Sequence, residues 1–104
     1  MIRTARGFAR AIGKELATMT TGHYWAEEAA KDVGWFINRI LAPCMEGVEI
    51  SISAQSISSD PLGTLEAFAF EYEGYAANGY NPYANMYLYD KVKEIRQELN
   101  QVAG

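Results

Sequence analysis

Two apolar seams, one at each end of the chain, limit its fold more than any other feature. Ile2, Ala5, Ala9, Ile12, Leu16 and Met19 recur at spacings of 3, 4, 3, 4 and 3. Leu88, Val92, Ile95, Leu99 and Val102 recur at 4, 3, 4 and 3. That period belongs to a helix with one buried stripe. It predicts helices over 2–19 and about 84–102. Gly7 and Gly13 weaken the first by roughly 1 kcal/mol each relative to Ala, so packing must help to hold it. Arg3, Arg6, Arg10 and Lys14 fall on one flank of its seam and face water or an acidic neighbour.

Between the seams the pattern changes. Thr20-Thr21-Gly22 breaks the first helix, and a second is expected over 23–41. Its apolar side should carry Trp25, Ala29, Val33, Phe36, Ile37, Ile40 and Leu41. Glu27 and Glu28 lie near its positive end and Arg39 near its negative end, as the helix dipole favours. Glu27 and Lys31 are spaced to pair. Pro43 should stop the helix, because proline disfavours helix at the residue before it.

Residues 47–57 alternate: Val48, Ile50, Ile52 and Ala54 against Glu49, Ser51 and Ser53, the pattern of a half-buried strand. Residues 58–63 read as a loop. Residues 64–75 fit two periods. As a strand they group Phe68, Phe70 and Tyr72; as a helix they group Leu65, Phe68, Tyr72 and Tyr75, with Thr64 as N-cap. A strand at 47–57 needs a partner, so a β-hairpin is the expected reading. Ala76 to Pro82 has turn chemistry, with room for a short edge strand around Tyr80. The expected fold is therefore a small single α+β domain over 1–104, ordered α-α-β-β-α, with helices packed on an antiparallel β-hairpin. Helix packing should carry much of its stability, since so small a sheet is marginal alone.

Charge is distributed unevenly. Residues 40–90 carry Glu46, Glu49, Asp60, Glu66, Glu71, Glu73 and Asp90 with no Lys or Arg, while the flanking segments are mildly basic. Such a stretch repels phosphate and attracts basic proteins. On this ground nucleic acid is not the expected partner. The basic first helix leaves open a nucleic-acid arm. Its Arg-containing start also has the look of a transit peptide, but it runs straight into the next helix without a small-residue processing signal.

Catalytic chemistry finds few groups. The chain has one His and one Cys. His23, at a helix start, reads as a capping or surface residue. Cys44 reads as a small packing residue. No nucleophile elbow or phosphate-cradling glycine motif is present. Glu71 and Glu73 would share a strand face about 7 Å apart, with Glu49 opposite, but the spacing matches no calcium loop. The chain is expected to be no enzyme and to use no cofactor, metal or small-molecule substrate. No run of about 18 apolar residues predicts a membrane span, and a cytoplasmic location is expected.

Tyrosine is concentrated in the same region as acid. Six of the 7 tyrosines lie between 72 and 89. Tyr beside Gly and Asn is the chemistry of binding loops, and Tyr is enriched in interface hot spots. Tyr72, Tyr87 and Tyr89 are the ones expected to pack inside. The expected binding residues are Glu66, Glu71, Glu73, Tyr75, Tyr80, Tyr83 and Asp90, docking on a basic surface of another protein. One concrete form is an inhibitor of a nucleic-acid-handling machine, in the manner of viral or mobile-element antagonists. The alternative is a small self-associating structural subunit of a virion or larger complex, built on the two seams. Monomer and homodimer both fit the sequence.

Overall fold

Thr4 starts the first helix. Its hydroxyl accepts the Gly7 N–H at 3.0 Å from extended backbone, an N-cap that satisfies one orphan donor. Helix α1 runs Ala5–Met19 and buries Ala5, Phe8, Ala9, Ile12 and Leu16. Phe8 lies off the expected seam yet is fully buried. It stacks on Phe68 with ring centroids 4.2 Å apart. At the other end both the N–H and the hydroxyl of Thr20 turn back to the Leu16 carbonyl. Gly22, at φ +87°, then makes a left-handed turn that a side chain would strain.

The structure is a computed structural model and describes residues 1–73 and 84–103. After α1 come α2 (Tyr24–Phe36), a π-helical turn (Ile37–Leu41) and α3 (Ala42–Cys44). Pro43 therefore does not end the second helix. The Ala42 N–H donates to the Ile37 carbonyl five residues back. This wider turn re-registers the ladder just ahead of Pro43, which has no N–H to donate. The helical path stops at Met45, and Gly47 turns the chain at φ +83°.

The expected β-hairpin does not form. Residues 48–53 do keep alternating burial: Val48, Ile50 and Ile52 lean on the core, while Glu49 and Ser51 are exposed. Their partner, however, is the N-terminus. Ile2 and Ile52 exchange N–H···O bonds of 2.8 and 3.0 Å in one isolated antiparallel bridge. Ser53 then caps α4 (Ala54–Ser59) by accepting the Ser56 N–H at 3.0 Å. Asp60 accepts the Gly63 N–H at 3.0 Å and opens α5 (Pro61–Glu73), a role expected of Thr64 if the segment were helical.

Of the two periods in 64–75, the helical one prevails within the described part. Leu62, Leu65, Phe68, Ala69 and Tyr72 are buried, whereas Phe70 is 72% exposed. A helix satisfies its own backbone groups, while a second strand would need an edge to pair with. The turn at 76–82 and the edge strand around Tyr80 lie outside the described residues.

Helix α6 (Ala84–Ala103) completes the domain and buries Leu88, Val92 and Ile95, as its seam predicts. Helix α1 packs on α2, α2 on α6, α6 on α5, and α5 back on α1, with α4 against α1 and α5. This places α2 diagonally across the bundle from α5. Among the described residues there is no strand. The fold is an all-helical globule in place of the expected α+β domain.

Candidate docking surfaces

The expected binding residues do not form one patch. On α5, Glu66, Phe70 and Glu71 lie on the outer side of the helix, away from its buried Leu65, Phe68 and Tyr72. Glu66 is paired with Arg96 of α6, so a cation absent from residues 40–90 arrives from a later helix. Glu71 is exposed. It lines a groove of about 380 Å³ with Arg3, Glu49, Ile50 and Ser51, in place of the expected pairing across a hairpin. Asp90 is exposed on α6, a different helix. Tyr75, Tyr80, Tyr83 and the side chain of Glu73 lie outside the described residues. The strand-face pairing of Glu71 with Glu73 is lost, because residues two apart on a helix do not share a face. Tyr72 is buried and Tyr87 and Tyr89 are half-buried, packed among helices.

A second surface was not legible as such. Tyr24, Trp25 and Trp35 of α2 are 64%, 60% and 60% exposed. Tyr24 and Trp25 meet edge-on with centroids 5.0 Å apart. Trp25 and Ile40, expected on the apolar side, are instead exposed. The stripe that goes inside is Ala26, Ala29, Ala30, Val33 and Ile37. Three alanines at i, i+3 and i+4 let α1 and α6 approach closely, and that was the available signal. Lys31 pairs with Glu28 at 3.8 Å and not with Glu27, whose carboxylate accepts the Gly22 N–H at 3.2 Å.

The basic flank of α1 faces water. Arg3, Arg6, Arg10 and Lys14 are exposed. Among the described residues the ion pairs join Lys31 to Glu28, Lys91 to Asp32 and Glu94, and Arg96 to Glu66. Arg3 and the three α1 cations take part in none of them. Beside this flank an open groove of about 240 Å³ runs between α1 and α2, lined by Gly13, Ala17, Thr20, Glu27, Ala30, Lys31 and Gly34.

Reactive groups are scattered. His23 is the N-cap residue of α2 but gives no side-chain cap, and its buried Nδ1 has no hydrogen-bond partner. Cys44, expected to pack, is exposed, and its thiol donates to the Ile40 carbonyl at 3.4 Å. Among the described residues no group of three His, Cys, Asp or Glu side chains converges to hold a metal ion. No helix there is long and apolar enough to cross a membrane. The chain matches no family model, no curated protein and no solved structure.

Proposed function

We propose that the chain is a non-enzymatic protein-interaction module whose acidic α5 face docks on a basic site of another protein. One observation carries this reading: Phe70 stands 72% exposed on the same helix face as Glu66, with the exposed Glu71 next in sequence. An exposed phenyl ring costs stability in water and gains it only when a partner covers it. Carboxylates around it steer a basic partner and set its orientation. In an inhibitor of a nucleic-acid-handling protein, Glu71 takes a place otherwise used by phosphate. Phe70 then supplies the desolvated contact.

The test starts from a partner captured from the native host and re-purified. Phe70→Ala combined with Glu71→Gln should weaken its binding about tenfold or more, the scale of a lost hot spot. Added salt should weaken wild-type binding. Wild-type affinity in the folded double variant defeats the proposal.

A further inference from the structure

The molecule carries a projecting ring with acidic neighbours on α5 and an open groove with basic neighbours on α1 and α2. Phe70 is the projecting ring, with Glu66 one turn before it and Glu71 next to it. On α2 the groove of about 240 Å³ is lined by Glu27, Ala30, Lys31 and Gly34, with the Glu27 carboxylate already accepting the Gly22 N–H. On α1 the exposed Arg10 lies one turn before Gly13, and the exposed Lys14 follows it. An apolar cavity of about 150 Å³ is already enough to hold benzene. A Cβ added at Gly13 or Gly34 would meet nothing within 4 Å, so the groove is unfilled by the chain's own side chains.

Their placement matters as much as their charge. Helix α5 packs on α1 and α6, and α2 lies across the bundle from it. One molecule therefore cannot bring its own Phe70 to its own groove. A second copy can.

We infer that copies of this chain associate head-to-tail, with the Phe70 face of one molecule seated in the α1/α2 groove of the next. The inference rests on the docking role given to the α5 face and names a second copy as its partner. Glu71 of the incoming molecule faces Arg10 and Lys14 of the receiving one, since Glu66 and Lys31 already have partners in Arg96 and Glu28. Two different surfaces meet, so the contact is heterologous. Each added molecule leaves one free knob and one free groove, and growth continues as a filament or closes as a ring.

Sedimentation velocity with two variants tests this. F70A/E71K spoils the knob and R10E/K14E spoils the groove; all four side chains are exposed, and circular dichroism verifies each fold. The wild type should show a mass that rises with concentration at low ionic strength and falls as salt screens the contact. Each variant alone should associate about tenfold more weakly or worse. Mixed together they should form a 1:1 dimer and nothing larger, since one retains the groove and the other the knob. A wild type that stays monomeric, variants that associate like wild type, or a mixture that stays monomeric overturns the inference. So does a monomer that retards a single-stranded oligonucleotide through Arg10 and Lys14, which gives the groove to nucleic acid. A monomer whose captured partner still depends on Phe70 overturns self-association and leaves the docking role standing.

Discussion

Lys91 of α6 donates to the Asp32 carboxylate of α2 across 3.2 Å. The same ammonium lies 5.4 Å from the centre of the Tyr87 ring, and that ring stacks on Phe36 with centroids 4.1 Å apart. One lysine thus ties α6 to α2 at a point where Glu94 also reaches it, at 3.5 Å. Burial alone would lower the Lys91 pKa. The hydrogen bond to Asp32 and the neighbouring Tyr87, Glu94 and Asp32 outweigh it, and the net shift is upward. Burial raises the Tyr87 pKa, with Lys91 opposing and Asp32 and Glu94 adding to it.

Both groups therefore hold their protons more tightly in the folded chain. Stability from this source is complete below the unfolded values, about 10 for Tyr and about 10.4 for Lys, and is lost as pH climbs through the raised folded values. The urea midpoint should stay level from neutral pH to about pH 10 on account of this pair, then fall. Tyr87→Phe with Lys91→Met should flatten that alkaline decline. An unchanged decline in the double variant would refute the assignment.

Phe8 joins α1 to α5 through its stack on Phe68. Phe8→Ala should cost about 3–5 kcal/mol in urea unfolding. Against a total of roughly 5–15 kcal/mol, that brings the domain close to unfolding at ambient temperature. The cost should exceed that of Met19→Ala, because Met19 is only half-buried at the end of the seam.

His23 occupies the N-cap position of α2 without capping it. His23→Asp supplies an acceptor for the first-turn N–H groups and removes the unpartnered buried nitrogen. A gain of about 1 kcal/mol is expected, read as a melting temperature roughly 4–8 °C higher. A lower melting temperature would show that the imidazole contributes packing that a carboxylate cannot replace.

Trp25→Ala and Trp35→Ala should change folding stability by no more than about 0.5 kcal/mol each, as befits exposed positions. A buried tryptophan would cost about 3–5 kcal/mol. Thermal melts separate the two cases. Small stability changes joined to a loss of association would mark these rings as contact residues.

Legibility in the sequence followed the range of the forces. Ile12, Leu16, Leu88, Val92 and Ile95 are buried where their spacing places them. The lean of Val48, Ile50 and Ile52 toward the core was equally readable. The identity of their backbone partner was not: Ile2 is 50 residues from Ile52, and nothing local selects it over residues 64–75. Trp25 misled because its spacing fits an apolar stripe, while the alanine stripe beside it packs more closely. Of the expected binding residues, Glu71 and Asp90 are exposed as a docking role requires, and Glu66 is engaged by Arg96.

By itself, the order of residues determined the two terminal helices, the buried middle of each seam, the absence of cations from 40 to 90 and the scarcity of catalytic groups. These are local or compositional properties, carried by each segment whatever surrounds it. Tertiary structure decided that 61–73 is helix and not strand, that α2 buries alanine and exposes tryptophan, and that Arg96 neutralises Glu66. Each of those outcomes is a competition between partners distant in sequence. The winner is the arrangement that satisfies backbone hydrogen bonds and close packing together.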